Sequence, residues 1–349
     1  MPTFPRATAS HFVCPHAASL PRLKPALIAC SMALCWTAAS ATAAERSVEE
    51  VADIYRQAAT LAAGTQHLRL RNVVCPASPP LPVTAPFAVV PSEPAPRVVP
   101  PLADWYHEPV KVFDQLYFVG TNEHSSWAAV SDEGIMLIDT LYDYATGDAI
   151  VGGLRKLGFD PADIELVIIS HGHGDHHAGA KYLQDEFGAR VVMGADDWDL
   201  VERDRRNPIP RRDIIAEDGM SFTMGNTTVT LHATPGHTDG TMSSIITVQD
   251  NGVEHVAALW GGTSITERTT TDNVQLYIDS AVRFSNIVQS AAADILLANH
   301  LIFDGSMDKI PLLATRQAGD PHPYVVGTQT ILDYLSVAEN CARAVMAYR

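Results

Sequence analysis

The stretch that decides the fold is residues 170–179, SHGHGDHHAG, which follows the apolar run IELVII. Four histidines and one aspartate fall within seven consecutive residues, His171 to His177. Gly172 and Gly174 allow the backbone to bend closely around a small object where a buried strand ends. The pattern His-x-His-x-Asp-His offers two imidazoles to one cation, and a carboxylate plus an imidazole to another. The stretch therefore predicts a metal site.

Neither cation is complete from this turn alone, because catalytic zinc usually keeps three protein ligands and one open position for water. The further ligands are predicted to be His237 in TPGHTDG and His300 in DILLANH, which both follow predicted strands. His177 is expected to point away, since His176 takes the inward direction. The remaining histidines are interpreted as surface or hydrogen-bonded core residues: His67, His107, His124, His232, His255 and His322.

Charge and composition limit the classes of partner. The chain has 349 residues, of which 46% are hydrophobic, and this is enough for a buried globular core. Lys and Arg number 24 against 40 Asp and Glu, for a net charge of -16. Such a charge repels phosphate backbones and anionic lipid surfaces. We expect a small-molecule substrate and no nucleic-acid partner.

The N-terminal residues 1–44 are typical of an export signal. Arg22 and Lys24 precede an apolar run, residues 26–39, and the small-residue stretch SATAA ends at Ala44. The apolar run of about 14 residues is shorter than the roughly 20 that a membrane-spanning helix needs, so no stable membrane anchor is expected. The mature protein is therefore expected in the periplasm or secreted.

The rest of the chain divides into two predicted parts. Residues 45–101 predict an N-terminal extension, with a helix over 45–70 followed by a proline-rich strap. Residues 102–349 predict the catalytic domain, in which hairpins are too frequent for an all-parallel sheet. The expected fold is α/β, a four-layer αββα sandwich. Further helices are predicted at about 144–157, 176–187, 274–292 and 328–348.

Three motifs together resemble the metallo-β-lactamase superfamily: SHGHGDH after a hydrophobic strand, then TPGHTDGT, then LLANH. The resemblance covers about residues 105–300 and implies the αββα fold with two zinc ions at a sheet-edge groove. It implies a first zinc site of His171, His173 and His237, and a second of Asp175, His176 and His300. It also implies that Asp139, which ends IMLIDT, supports the site by hydrogen bonding without binding a metal.

The resemblance can be narrowed within the superfamily. Glyoxalase II enzymes and many lactonases carry an aspartate that bridges the two metals, but here the corresponding strand reads HVAALWGGT, with Gly261 or Gly262 in that place. The remaining ligand sets are similar to those of the third subclass of metallo-β-lactamases, and WYHEPVKVFDQLYFVGTNEHSSW also resembles the start of that subclass. The chain departs from it by lacking a serine near these glycines and a serine pair after the last histidine, where it has Leu301-Ile302-Phe303.

The implied activity is that of a dinuclear zinc hydrolase. Zinc lowers the pKa of its bound water from 15.7 to about 7, so a metal-bound hydroxide is expected to open a cyclic amide in a small, anionic substrate. Asp175 is expected to orient the attacking water. The alternative is a lactone, ester or thioester hydrolase on the same site. A metal-binding module without catalysis is disfavoured, because structural zinc sites prefer cysteine-rich ligand sets. The sequence does not indicate the oligomeric state.

The cysteines allow two interpretations. Cys14, Cys30 and Cys35 lie within the predicted export signal, which leaves Cys75 and Cys341 in the mature chain. These two are predicted either to form a disulfide that fastens the strap to the last helix or to remain separate buried thiols.

The arginines around NPIP and the residue Trp127 each allow two interpretations. The arginines that flank NPIP are interpreted as part of a solvated loop, with a role at the rim of the site as the alternative. Trp127 lies either at the mouth of the groove or in the core of a hairpin. The arginines concerned are Arg205, Arg206, Arg211 and Arg212.

Overall fold

A computed structural model describes residues 46–75, 98–266 and 269–349. The predicted export signal, with its three cysteines, and residues 76–97 of the predicted strap lie outside the described residues. The residues that the structure describes belong to one compact unit. Within the described ranges, no helix is long and apolar enough to cross a bilayer.

Two sheets form the centre of the described structure. In the seven-stranded sheet, β1 to β7 lie side by side in chain order. Pairing is antiparallel from β1 to β4 and parallel from β4 to β7. The strands are β1 Val110–Lys111, β2 Leu116–Phe118, β3 Trp127–Ser131, β4 Gly134–Ile138, β5 Ile164–Ile168, β6 Arg190–Gly194 and β7 Ile214–Ala216.

The five-stranded sheet has the order β12-β11-β10-β9-β8. Its pairs are antiparallel except β11 with β12, which run parallel. Alternation along β9, TTVTLHA, leaves Val229 and Leu231 fully buried, as expected for a strand with one face in the core. The strands are β8 Ser221–Met224, β9 Thr227–Ala233, β10 Met242–Asp250, β11 Val253–Trp260 and β12 Ile295–Ala298.

Helices cover the outer faces of both sheets. Those after β4 and β5 and between β6 and β7 pack on the seven-stranded sheet, and α1, α2, α9 and α12, here termed the helical layer, pack on the five-stranded sheet. The helices are α1 Val48–Ala63, α2 Leu68–Val74, α3 Leu102–Trp105, α4 Asp143–Ala145, α5 Gly152–Lys156, α6 Gly174–His177, α7 Ala180–Phe187, α8 Ala195–Arg203, α9 Thr271–Ser290, α10 Leu301–Asp304, α11 Ser306–Leu313 and α12 Thr328–Met346.

The space between the sheets is the central apolar core. Phe118 and Ile168 of the first sheet meet Val229, Leu259 and Leu297 of the second. Trp127 also belongs to this core, where its Nε1 donates a hydrogen bond to the carbonyl oxygen of Ala298 at 3.3 Å. The predicted four-layer αββα sandwich is therefore confirmed, and Trp127 is a hairpin core residue that joins the two sheets.

Three predicted helices differ in detail from the observed ones. The helix expected over 144–157 contains a π-helical segment, Thr146–Val151, between α4 and α5. The helix expected over 45–70 is two helices, because Gly64, with φ of 48°, ends α1. Ser47 caps α1, as its hydroxyl accepts a hydrogen bond from the backbone of Glu50. The helix expected over 176–187 begins earlier, as α6, and is interrupted before α7.

The N-terminal helices are fastened to the last helix. The Sγ atoms of Cys75 and Cys341 are 2.05 Å apart, in a disulfide between residues separated by 266 positions. His67 donates from Nε2 to the carbonyl oxygen of Thr330 at 2.9 Å, next to the start of α12. The segment predicted as an N-terminal extension thus packs as part of the helical layer.

Candidate metal centre

The predicted site residues meet because of strand direction. β4 and β5 are parallel, so Asp139 and His171, which follow their carboxyl ends, emerge at one edge of the first sheet. β11 and β12 are also parallel, and Gly261 and His300 follow their ends at one edge of the second. A hydrogen bond of 2.8 Å from the backbone of Met242 to the carbonyl of Ser170 joins the two edges. One end of the sandwich therefore gathers all the predicted ligands.

The first cluster consists of His171, His173 and His237. Nε2 of His237 lies 3.1 Å from Nε2 of His171 and 3.0 Å from Nδ1 of His173. Nδ1 of His171 donates to the carbonyl of Gly261 at 2.8 Å, and Nδ1 of His237 donates to the carbonyl of Ser264. Because these protons sit on Nδ1, both Nε2 atoms direct lone pairs at each other, an arrangement that a cation between them would stabilise.

Burial keeps the first cluster neutral. Burial lowers the pKa of His237 to about 3, with a contribution from the neighbouring His173, and it lowers the pKa of His171 well below its usual range. The pKa of His173 is also lowered by the surrounding protein, although part of its side chain is exposed. Neutral imidazoles are the form that binds metal, so the cluster is ready to ligate at neutral pH.

The second cluster consists of Asp175, His176 and His300. Oδ2 of Asp175 lies 3.1 Å from Nε2 of His176 and 3.6 Å from Nε2 of His300. Burial would raise the pKa of Asp175, but the imidazoles around it, His176 foremost, hold that pKa well below its usual range. Burial lowers the pKa of His300 to about 2. This cluster therefore carries a carboxylate, unlike the first.

Asp139 lies behind the second cluster as the sequence predicts. Its Oδ2 accepts from Nδ1 of His176 at 2.9 Å, and its Oδ1 accepts from the backbone of Ser170 at 2.7 Å. Burial alone would lower the pKa of His176, but the two aspartates raise it to about 10. Nε2 of His176 is buried and has no hydrogen-bond partner among the described residues. Asp139 thus orients an imidazole whose free nitrogen faces the cluster.

His124 was expected to be an ordinary surface or hydrogen-bonded core histidine, and it lies buried beside the second cluster. Its Nε2 lies 3.4 Å from Oδ2 of Asp175, and its ring centroid lies 4.8 Å from that of His300. Its ligand atom and those of Asp175 and His300 all lie within 4.8 Å of one another, close enough to bind one metal ion. No spacing in the sequence connects His124 to the motif, because it precedes β3. His177, by contrast, is buried outside both clusters, as expected.

Asp197 is a second residue that the sequence did not single out. Its carboxylate accepts hydrogen bonds from the backbone of Gly172 at 2.7 Å, from the hydroxyl of Thr238 at 2.7 Å and from the backbone of Gly240 at 3.1 Å. Burial raises the pKa of Asp197 to about 6, against these hydrogen bonds, which lower it. Asp197 thus ties the turn that carries His171 and His173 to the turn that carries His237.

The geometry of both clusters fits a pair of metal ions. Ligand atoms about 2.0–2.1 Å from a tetrahedral zinc lie roughly 3.3 Å from one another. The separations of the neighbouring ligand atoms from Nε2 of His237 and from Oδ2 of Asp175 run from 3.0 to 3.6 Å. The buried, unpartnered nitrogen of His176 and the opposed lone pairs of His171 and His237 give the same indication. The donors, imidazole and carboxylate, suit zinc and related divalent ions.

Comparisons with known proteins agree with the fold and with the motif. The family described as "Metallo-beta-lactamase superfamily" matches residues 119–253. A crystal structure of BJP-1, a subclass B3 metallo-beta-lactamase of Bradyrhizobium japonicum, superposes with a TM-score of 0.59 at 28% identity, covering 67% of this chain and 92% of that one. Residues 119–253 thus match the metallo-beta-lactamase superfamily, and the chain has the metallo-beta-lactamase fold.

Other relatives extend the comparison. Native FEZ-1 metallo-beta-lactamase from Legionella gormanii has a TM-score of 0.59 at 24% identity, over 66% of this chain and 92% of that one, and so shares the fold. A hydroxyacylglutathione hydrolase of Acidiphilium cryptum is 36% identical over 77 residues, which are 22% of this chain and 28% of that protein. The alignments with the first two curated relatives thus span under a third of their length.

The structure shows why neither Gly261 nor Gly262 can be replaced by a bridging aspartate. A Cβ added to Gly262 would lie 2.5 Å from Cβ of His237, and one added to Gly261 would lie 1.9 Å from the carbonyl oxygen of Met242. Real Cβ atoms do not approach other atoms this closely. Neither position can carry a bridging aspartate on this backbone.

Three of the four arginines around NPIP pair with carboxylates. Arg206 pairs with Asp204 at 2.6 Å, and Arg211 pairs with Asp213 at 2.9 Å. Arg212 pairs with Asp199 at 2.6 Å. This pairing favours the solvated-loop interpretation over a dedicated substrate rim.

Proposed function

We propose that this protein is a dinuclear zinc hydrolase that opens cyclic amides, as β-lactamases do. The observation that carries the proposal is a pair of adjacent groups of ligand atoms. His171, His173 and His237 form the first group, and Asp175 and His300, together with His124, form the second, with His176 beside Asp175. Neither Gly261 nor Gly262 supplies a carboxylate that could bridge the two groups. The resemblance to subclass B3 enzymes supports the same ligand assignment.

The residues of the site would have different roles in metal binding and in orienting the attacking water. Zinc, when bound, makes water more acidic and polarises a carbonyl oxygen. The first cluster would hold one ion and the second cluster the other. Asp175, in the second cluster, would accept a hydrogen bond from the attacking water and orient it. Asp139 and the carbonyl of Gly261 keep His176 and His171 in the tautomer that ligates.

The alternative on the same site is a lactone, ester or thioester hydrolase. One observation favours it: the positions where the subclass carries serines supply no hydroxyl here. Leu301 and Phe303 are buried in the apolar core, and Gly261 and Gly262 have no side chain. The similarity to a protein named hydroxyacylglutathione hydrolase, a thioesterase name, supports the same alternative.

A hydrolysis panel tests both activities. The mature protein is assayed with a chromogenic cephalosporin and with a lactone and a thioester, before and after a chelator and again after added zinc, alongside elemental analysis. We expect chelator-sensitive cephalosporin turnover with about two zinc ions per chain, lost in His237→Ala and retained in His232→Ala, a half-buried histidine of β9. Lactone or thioester opening without cephalosporin turnover would establish the alternative, and inactivity of the zinc-loaded protein on all three would overturn both.

We further propose that the protein is exported, to the periplasm or beyond. The signal-like residues 1–44 and the disulfide Cys75–Cys341 support this, because disulfides persist in oxidising compartments. N-terminal sequencing of the protein from fractionated cells should begin at Ala44 or Glu45. An intact N-terminus in the cytoplasmic fraction would contradict the proposal.

A further inference from the structure

We propose that His124 is a fourth protein ligand in the second metal site, beside Asp175, His176 and His300. This inference rests on the metal centre of the proposed function but not on any particular substrate. It assigns a role to a histidine that lies 47 positions before the motif begins, at a distance that no spacing pattern connects.

The backbone places His124 beside His300. The two residues form an antiparallel bridge, flanked by hydrogen bonds from Ser125 to the carbonyl of Asn299 at 2.9 Å and from Leu301 to the carbonyl of Glu123 at 3.2 Å. Bridged residues of this kind point their side chains to the same side. His124 therefore faces the second cluster because the chain is held there on both sides.

The ligand atoms of His124, Asp175 and His300 all lie within 4.8 Å of one another, and His176 lies beside Asp175 outside this group of three. Nε2 atoms of His124, His176 and His300 lie 3.4, 3.1 and 3.6 Å from Oδ2 of Asp175. These separations match those expected between ligands of a tetrahedral zinc, about 3.3 Å. The side chain of His124 is 11% exposed, and Tyr142 packs edge-on against its ring at 5.4 Å. A buried imidazole held at this distance suits ligation.

The consequence is an asymmetric metal centre. With His124, the second site has four protein donors and is closed, as structural zinc sites are, whereas the first cluster has three and keeps an open position. The second ion should therefore be held more tightly, and His124 should govern its affinity. The competing interpretation is that His124 only donates a hydrogen bond to Asp175.

Binding of Co²⁺ to the metal-free protein separates the two interpretations. His124→Gln keeps a hydrogen-bond donor near Asp175 but removes the imidazole. Loss of a direct ligand should weaken one of two Co²⁺ equivalents by about 100-fold or more, at or above the range seen for residues that only orient ligands. The matched control is His232→Gln. The side chain of His232 lies on β9 and is 16% exposed, and this variant should bind both Co²⁺ equivalents as the natural chain does.

A second variant reports ligation directly. His124→Cys loaded with Co²⁺ should show a thiolate-to-cobalt charge-transfer band in the near ultraviolet, and His232→Cys should not. Wild-type affinity for both equivalents in His124→Gln, together with no such band in His124→Cys, would overturn the proposal. All these readouts are binding measurements, so a chain that binds two ions but hydrolyses nothing would refute the proposed function and leave this inference standing.

Discussion

The metal clusters and the helical layer bury their side chains in opposite ways. Around the clusters the buried groups are polar: His171, His176, Asp139 and Asp197 are each held by specific hydrogen bonds from neighbouring turns. The helical layer buries mainly apolar surface, and the disulfide between Cys75 and Cys341 joins the end of α2 to α12.

This difference teaches that ligation and stability are carried by separate parts of one compact unit. Apolar burial is non-directional and stabilises roughly in proportion to area, whereas a ligand set depends on orientation within fractions of an ångström. Changes at the clusters should therefore alter metal binding far more than stability. Changes in the helical layer should do the reverse.

The largest effect is expected for His237→Ala. Loss of this imidazole leaves the first cluster with two ligands, so zinc affinity at one site and chelator-sensitive turnover should each fall by more than about 100-fold. Elemental analysis and the hydrolysis panel measure the two. The unfolding midpoint of the metal-free protein should change little. A large drop in the midpoint would contradict the conclusion that ligation and stability are carried by separate parts of the molecule.

Removal of the disulfide is the counterpart in the helical layer. Cys75→Ser with Cys341→Ser removes a cross-link across 266 positions and should lower the free energy of unfolding by about 2–5 kcal/mol. Denaturant unfolding measures this. Zinc stoichiometry and activity below the unfolding transition should match those of the natural chain. A parallel loss of zinc would show that the helical layer positions the clusters after all.

Asp197→Asn is expected to lower both the stability of the fold and the zinc affinity of the first cluster. The amide keeps the shape but loses one acceptor oxygen, so a backbone donor of Gly172 or Gly240 is left unpaired at a cost of about 1–3 kcal/mol. Because Asp197 joins the turns of the first cluster, zinc affinity at that site should fall as well. Thermal unfolding and zinc titration together measure both effects. Loss of stability with unchanged affinity would limit Asp197 to a structural role.

The smallest effect concerns His67 and pH. Burial lowers the pKa of His67 in the folded protein, while the unfolded chain titrates near 6.5. As the pH falls below about 6.5, the unfolded state takes up a proton that the folded state does not, so stability is lost. His67→Gln removes the contribution of this histidine to the pH dependence. The free energy of unfolding of the variant should therefore fall less steeply with acidification. Urea unfolding at several pH values measures it, and parallel curves for the two proteins would contradict the expectation.

Much of the fold and of the predicted ligand set could be inferred from local sequence. His171, His173, Asp175 and His176 lie within six residues, and each predicted ligand follows an apolar run typical of a strand. Strand ends bring loops to one edge of a sheet, so motif and period together place these residues without knowledge of the tertiary structure. Asp139, which follows β4, was predicted only by the resemblance to the superfamily.

The sequence by itself determined the types of ligand residue and the order of the secondary-structure elements. These are a dense histidine motif, two further histidines after predicted strands, and alternating strands and helices. Only the tertiary structure decided that His124 faces Asp175, that Asp197 joins two turns and that the N-terminal helices belong to the helical layer. Those contacts join segments tens to hundreds of residues apart, and they depend on how two sheets stack and where their edges meet. No local period encodes that proximity.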